Sequence, residues 1–497
     1  MKHPSSIPTV LLTVTGRLLL LAALAFLLAS PVAAVRLRNV PTPVTQPDGR
    51  LVEILTTGDE FEQYLHDAAG YTIVRDPKTR WYVYAEAGLD GLRPTADIVG
   101  QADPAKAGLT PGARPLEAQV LSKRQAAGQA LGRRMDASGT GLGNEPLGAP
   151  QTGHINNLVI FIRFSGEPAI TETFQHYDDM YNDDTAGASS LYNYLREVSD
   201  NQLTVTSTLL PASTTNMLSY QDSHPKNYYQ PYDAEDNPEG YTDENGHDRW
   251  MALLGNAVDF VADQVPDDLD LDINDDGRID SICFVHNGAW DNKKFWAYMS
   301  CMGDANAYIN GKRAWTYDSY ARGMIDHPDW GVGVMAHEYV HIMGGPDMYR
   351  RVGHGVDPVG IWDVMADTAN PPQHMNAWIK YHYIPWRTSI NVADHSGNYW
   401  LNPSTATVNP CIQIPSPAST TEFFLVEYRR KTGTFESSFF YIVMFFYVIY
   451  IWTQFQGSGK VLEKTFGIDP VTGILLSAVV TTLYSMAGGF LSVVWTD

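Results

Sequence analysis

The feature that most constrains this chain is a short apolar stretch, residues 333–349, which carries the pattern His-Glu-x-x-His. It places His337, Glu338 and His341 within five residues. Because residues four apart lie on one face of an α-helix, both imidazoles can bind one metal ion, at about 2.0–2.1 Å for zinc. Glu338 lies one position round from His337 and can reach a metal-bound water as a general base without binding the metal. The pattern therefore predicts a zinc-binding helix with hydrolytic chemistry.

The residues that follow predict the end of this helix and a third ligand. Gly344 and Gly345 permit a left-handed C-terminal cap, and Pro346 prevents the helix from continuing. The turn carries Asp347 back toward the metal, and water takes the fourth position, where its pKa falls to about 7. The alternative is a buried helix with two ordinary core histidines, which the glycine and the aspartate at fixed offsets disfavour.

A second segment, residues 360–366, contains the sequence W-D-V-M, in which Met365 resembles the Met-turn beneath the zinc of metzincin-type proteases. The pattern H-E-x-x-H-x-x-G-x-P-D-x-Y followed by W-D-x-M resembles the immune inhibitor A family of secreted bacterial zinc metalloproteases. The resemblance covers most of the chain, from about residue 35 to about residue 433. It implies a metzincin-like zinc protease domain of mixed α/β (α+β) fold that acts on proteins or peptides.

Carried over residue by residue, the resemblance implies that the two histidines of the motif bind zinc and that Glu338 is the catalytic base. Asp347 matches the motif as the third zinc ligand, and the downstream acids Asp363 and Asp367 are alternatives to it. Tyr349 is a candidate donor to the oxyanion that forms during peptide hydrolysis.

An acidic segment predicts a second metal site, for calcium. Asp272, Asn274, Asp276 and Asp280 follow the spacing D-x-N-x-D-G-x-x-D, in which alternate oxygens point inward and Gly277 makes the sharp turn. The twelfth position holds cysteine instead of glutamate, which excludes a helical EF-hand. We expect a calcium-stabilised loop before a core strand, which the family resemblance also implies; the alternative is a solvated, aspartate-rich turn.

The region before the predicted catalytic domain divides into two parts. Residues 1–34 have basic residues, an apolar run and small residues ending at Ala34, as in a cleaved secretory signal; a retained N-terminal anchor is the alternative. Residues 35–150 are interpreted as a small β-rich pro-region and a linker, and residues 151–433 as the catalytic domain. Strands are predicted at 51–55, 70–75, 81–84, 158–164 and 203–209, and helices at 189–198 and 249–265.

Composition narrows the class of partner. A formal net charge of −22 argues against nucleic acid and fits a soluble secreted surface. Three cysteines are too few, and odd in number, for a disulfide framework.

The C-terminal tail, residues 437–497, differs from everything before it. Residues 437–455 and 471–495 are uncharged and long enough to span a bilayer, which predicts two transmembrane helices. The segments 457–460 (G-S-G-K), 473–476 (G-I-L-L) and 483–497 are similar to an internal piece of sodium/solute symporters. Two spans cannot form the paired repeats that a symporter needs. We interpret the chain as two unrelated reading frames joined near residues 434–438. The alternatives are a membrane-tethered protease and, less favoured, a hydrophobic hairpin in the core.

The sequence as a whole predicts a secreted zinc-dependent endopeptidase, anchored to a membrane if the tail is genuine. The competing hypothesis is a membrane-tethered or inactive fusion protein whose C-terminal part derives from a sodium/solute symporter.

Overall fold

The computed structural model describes residues 37–59, 62–88, 91–115, 149–242, 245–290, 295–303, 305–349, 359–416, 422–429, 441–445 and 472. The predicted signal segment 1–34, the stretch 116–148 and nearly all of the C-terminal tail lie outside these residues.

The N-terminal sheet is antiparallel, and each of its strands pairs with the next one along the chain. Its strands are β1 (Leu37–Thr45), β2 (Leu51–Gly58), β3 (Gln63–His66), β4 (Thr72–Arg75), β5 (Tyr82–Gly88) and β6 (Gly91–Ile98). It has a small core of its own, formed by Val44, Ile54, Ile73, Tyr84 and Val99. The three strands predicted here coincide with β2, β4 and β5, while the role of this region as a pro-region stays a prediction.

The central domain is built of alternating strands and helices. In chain order these are β7 (Gly153–Arg163), α1 (Phe174–Asn182), α2 (Leu191–Val198), β8 (Leu203–Leu210), β9 (Tyr220–Gln221), α3 (Gly246–Val261), β10 (Ile282–His286), β11 (Tyr298–Cys301), β12 (Tyr308–Ile309), β13 (Lys312–Arg313), β14 (Thr316–Ala321), α4 (Arg322–Ile325), α5 (Gly331–Ile342) and α6 (Ala377–His382). Short 3-10 turns lie at Lys226–Tyr229, Ala262–Gln264 and Gly360–Trp362.

The central sheet has the strand order β11-β14-β10-β7-β8, with β9 also paired to β7. The pairs β14–β10, β10–β7 and β7–β8 are parallel, and β11 is an antiparallel edge. Alternate residues of β7 enter two different cores: Val159 and Phe161 join the core that contains α1, α2 and α5, whereas Leu158, Ile160 and Ile162 join the core that contains α3. The sheet is thus covered on both faces, which explains why the predicted strand is continuously apolar.

Helix α5 lies within the larger core, and all of its residues are buried. Its close approach to the chain beyond residue 367 depends on Gly333, where an added Cβ would lie 2.2 Å from the carbonyl oxygen of Ala369. The segment around Met365 also lies against this helix, where His337 Nδ1 bonds to the carbonyl of Val364.

The N-terminal sheet is docked on the central domain. Val40 of β1 is fully buried and belongs to the larger core of the central domain, not to the core of its own sheet. Arg38 Nε lies 4.0 Å from Asp367 Oδ1, and at the other end Arg75 and Arg80 pair with Asp236. Apolar burial and ion pairs therefore both join the two units.

The C-terminal sheet contains β15 (Asn391–Val392), β16 (Cys411–Pro415), β17 (Phe423–Arg429) and β18 (Tyr441–Phe445), in that order. Strand β18 lies inside the first predicted membrane span, 437–455, so for these five residues the structure has a strand and not the predicted helix. The aromatic and β-branched residues that made the span apolar also favour strands, which explains the difference. The remainder of both predicted spans lies outside the described residues. In the described part of the chain, no helix is both long and apolar enough to cross a membrane.

Candidate metal centre

Helix α5 presents His337 and His341 on one face, as the spacing predicts. Both side chains are almost fully buried, and their Nε2 atoms lie 3.0 Å apart. The two rings are nearly perpendicular, at 80°. The rings therefore converge through their Nε2 atoms.

The end of the helix brings the third group into place. Gly344 has φ +90°, a left-handed conformation that favours glycine, and the N–H of Gly345 bonds back to the carbonyl of Val340. Beyond this cap, Asp347 Oδ1 lies 3.4 Å from His337 Nε2 and 3.2 Å from His341 Nε2.

The distances fit a single metal ion. Ligands about 2.0–2.1 Å from a tetrahedral zinc lie about 3.3 Å from one another. The three separations in the structure are 3.0, 3.2 and 3.4 Å. Among the described residues, these three side chains are the group able to hold a metal ion.

Hydrogen bonds fix which ring nitrogens face the centre. His337 Nδ1 bonds to the carbonyl oxygen of Val364 and His341 Nδ1 to that of Gly345, both at 2.8 Å. A carbonyl only accepts, so each Nδ1 carries the hydrogen and each Nε2 of the neutral ring presents a lone pair. Burial lowers the pKa of His337, although Asp347 opposes this, so the neutral ring is favoured. Three electron-pair donors thus converge, which is the arrangement that a cation stabilises.

The residues around these three donors are also buried. Glu338 follows His337 directly on the helix and is fully buried. Met365 is also fully buried, and its carbonyl oxygen accepts a hydrogen bond of 2.7 Å from the N–H of Met348. Tyr349 packs in an apolar cluster with neighbours that include Val359 and Ala366. Its predicted role as an oxyanion donor stays a prediction.

The two alternative third ligands have other partners. Asp363 Oδ1 accepts from the N–H of Met365 at 2.7 Å, and Oδ2 accepts from the N–H and side-chain amide of Asn376 at 2.6 and 2.5 Å. Asp367 lies near Arg38. Asp347 is the acid that the structure brings to the two histidines.

The predicted calcium loop is closed by hydrogen bonds from its own backbone. Asp272 accepts from the N–H groups of Asp276 and Gly277 at 2.9 and 2.8 Å, and from Lys312 Nζ at 2.7 Å. Burial opposes the ionised form of Asp272, but Lys312 and these N–H groups lower its pKa below the ordinary value. The same loop buries Asp280, whose Oδ2 accepts from the N–H of Ile273 at 2.9 Å.

The other two loop positions also engage backbone groups. Asn274 Oδ1 accepts from the N–H of Asp276 at 3.3 Å, and Asp276 Oδ1 accepts from the N–H of Arg278 at 2.9 Å. Within the part of the chain that the structure describes, these side chains do not converge on one point as the three donors at helix α5 do. Calcium binding stays a prediction.

Sequence reasoning missed the partners that hold the site. The carbonyls of Val364 and Gly345 orient the two imidazoles, and Lys312 pairs with Asp272 of the acidic loop from forty residues away. The W-D-V-M segment was a signal for the first of these partners, since a turn beneath a metal offers carbonyl groups to its ligands. No local pattern identifies Lys312.

Comparisons with known proteins concern the other end of the chain. Residues 424–497 match the sodium:solute symporter family. A stretch of 97 residues, 20% of this chain, is 29% identical to the osmoregulated proline transporter of Bacillus subtilis (strain 168), covering 18% of that protein. A stretch of 123 residues, 25% of this chain, is 29% identical to the sodium/proline symporter of Escherichia coli (strain K12), covering 21% of it. The chain spans about a fifth of the length of these curated relatives.

The match begins inside strand β17, before the predicted junction at 434–438. A symporter-like C-terminal fragment is therefore supported, as the sequence predicts, and its first residues belong to the C-terminal sheet.

Proposed function

We propose that this chain is a zinc-dependent endopeptidase. The observation that carries the proposal is the convergence of His337 Nε2, His341 Nε2 and Asp347 Oδ1 within 3.0–3.4 Å of one another, with both imidazole Nδ1 atoms bonded to carbonyls. The donor set of two imidazoles and one carboxylate is typical of catalytic zinc, which leaves a fourth position for water or substrate.

Each residue then has a defined task. The two histidines and Asp347 would hold the metal, which when bound would supply Lewis acidity and lower the pKa of water. Glu338 takes a proton from the attacking water and later gives one to the leaving amine. Tyr349 is proposed as a hydrogen-bond donor to the oxyanion. The turn at Met365 supports His337 from below through the Val364 carbonyl.

The substrates proposed are proteins or peptides, and the site of action is outside the cell. The resemblance to secreted metalloproteases and the signal-like residues 1–34 support this location, and the net charge of −22 disfavours nucleic acid.

The decisive experiment combines zinc content with peptidase activity. The purified full-length chain should bind one equivalent of zinc and hydrolyse an unfolded protein substrate, and a chelator should abolish the hydrolysis. Glu338→Ala should keep the zinc and lose the hydrolysis. Activity that survives in this variant would refute the proposed mechanism.

A second candidate function has its own support in the symporter match at residues 424–497. On this view the protein is a membrane-tethered or inactive fusion whose C-terminal part derives from a sodium/solute symporter. Mass spectrometry of both termini in the native host separates the two. A soluble species that lacks the peptides of residues 437–497 supports the joined-frame hypothesis, whereas a membrane species that carries them supports the tether.

A further inference from the structure

A buried ion pair connects strand β17 to the metal centre through the Met365 turn (residues 362–367). Glu427 and Arg429 lie on the inward face of β17 and are 2% and 5% exposed. Arg429 Nε bonds to Glu427 Oε1 at 2.9 Å. Burying two charges costs desolvation free energy that their attraction only partly returns, so such a pair is a poor device for stability alone. Its contacts indicate what else it does.

The pair makes contacts in two directions. Glu427 Oε2 accepts from the N–H of Ala377 at 2.9 Å, at the first residue of helix α6. Arg429 Nη1 donates to the carbonyl oxygens of Trp362 and, at 2.9 Å, His374. The pair therefore joins the start of α6 to the first residue of the Met365 turn.

The Met365 turn passes this restraint to the metal ligands. Asp363 ties the turn to α6, because it accepts from the N–H of Asn376, the residue that caps this helix. The next residue, Val364, accepts a hydrogen bond from His337 Nδ1 through its carbonyl oxygen. The carbonyl of Met365 accepts a hydrogen bond from the N–H of Met348, and Met348 follows Asp347 in the chain. One hydrogen-bonded turn thus orients His337 and the backbone beside Asp347.

We propose that Glu427 and Arg429 are positioning residues for the metal centre, acting through the carbonyl of Val364 on His337. The inference rests on the function proposed above. It goes beyond that function because it makes β17, where the symporter match begins, a necessary part of the metal domain. Partners beyond the direct ligands typically change metal affinity or activity by about 10- to 100-fold when removed.

The test replaces both charges at once, so that neither is left buried without its partner. In Glu427→Gln/Arg429→Met, we expect the zinc dissociation constant of the full-length chain to rise by about 10-fold, the lower end of this range, because the pair acts on His337 only through the Met365 turn. We also expect the visible absorption bands of the cobalt(II)-substituted variant to shift, because the geometry around the metal has relaxed.

The matched control is Leu425→Ala. Leu425 lies on the same face of the same strand and packs with Ala377 and Cys411, without a bond to the Met365 turn. It should lower the melting temperature while leaving the zinc dissociation constant within about threefold of wild type. Equal effects of the two changes on zinc, or a double variant with wild-type affinity and cobalt spectrum, would overturn the proposal.

A measurement on the unaltered chain decides the matter if the double variant does not fold. Coupling between two sites is reciprocal, so zinc must slow amide hydrogen exchange in β17 if β17 supports zinc. We expect slowing of about fivefold or more at residues 425–429 as well as at the Met365 turn. Protection of the turn without any change in β17 would refute the positioning role alone. A wild-type chain that binds no zinc would instead refute the proposed function.

Discussion

The sequence predicts two metal sites, at the end of helix α5 and in the acidic loop 272–280. The two differ in what their hydrogen-bond acceptor atoms face. At the end of helix α5, each imidazole directs Nδ1 to a backbone carbonyl, so the Nε2 atoms of both rings and Asp347 Oδ1 face one another. In the acidic loop, the acceptors of Asp272 receive two backbone N–H groups and the ammonium of Lys312. The difference teaches that the balance of hydrogen-bond donors and acceptors, more than the number of ligand-type residues, distinguishes the better candidate for a cation site.

The largest expected effect separates catalysis from metal binding. Glu338→Ala should lower the rate of peptide hydrolysis by roughly 10²- to 10⁴-fold, because it removes the proposed general base. Zinc content, measured by atomic absorption, should stay at one equivalent. Loss of zinc together with activity would assign Glu338 to the binding of the metal.

A change in the third ligand tests whether the convergence at α5 is functional. Asp347→Ala should weaken zinc binding by more than the roughly 10- to 100-fold that outer partners contribute, because a direct ligand is lost. Asp272→Ala is the control, since it changes the acidic loop only. Competition with a chromogenic chelator measures both dissociation constants. A zinc site that tolerates Asp347→Ala, or that responds equally to Asp272→Ala, would erase the contrast between the two segments.

The free energy of unfolding should depend on pH through Asp280 in the acidic loop, and the pKa of this residue gives the direction of the change. Burial, and then the charges of Asp272 and Asp276, raise the pKa of Asp280 to about 6, against about 3.9 in an unfolded chain. Between these values the folded state binds more protons, so the contribution of Asp280 to the free energy of unfolding falls as pH rises and is constant above pH 6.

In chelator, the melting temperature of Asp280→Asn should therefore exceed that of wild type by a margin that grows from about zero near pH 4 to a few °C above pH 6. Thermal unfolding across this range measures the margin. If the loop binds calcium through Asp280, added calcium should make wild type melt at a higher temperature than Asp280→Asn. A margin independent of pH would show that the carboxylate carries no burial cost.

The smallest expected effect concerns Lys312, whose ammonium group pairs with Asp272 of the acidic loop. Lys312→Met should strengthen calcium binding by about fivefold at most, the value of a partly exposed ion pair. Lys106→Met is the matched control, because Lys106 pairs with Asp103 on the surface of the N-terminal region. Titration calorimetry gives both affinities. Weaker calcium binding in Lys312→Met would mean that Lys312 supports the loop instead of competing with the ion.

Elements whose signal is local could be predicted from the sequence. The helical spacing brought His337 and His341 together, and the glycine cap returned Asp347 to them. The predicted helices 189–198 and 249–265 correspond to Leu191–Val198 and Gly246–Val261, with shifts of a few residues at their ends. Periodicity and capping act over one or two turns, so one sequence is enough to identify them.

Contacts between distant segments could not be predicted. Arg429 reaches the carbonyl of Trp362 across 67 residues, and nothing near Arg429 in the sequence indicates that it meets the turn beneath His337. Strand β18 is a second example, because its apolar sequence is compatible with a membrane helix and with a strand. It is a strand in the structure because it pairs with β17, which the local sequence does not reveal.

The burial of Val40 in the central domain has a consequence for any nicking of the chain. Because Val40 and the ion pairs of Arg38, Arg75 and Arg80 join described residues of the two units directly, we expect a cut between residues 115 and 149 to leave the two pieces in contact. The N-terminal fragment is then bound to the rest of the protein only by non-covalent contacts, so it dissociates when the sample is diluted. A nicked sample would consequently migrate as two fragments under denaturing conditions and as one particle when concentrated and native.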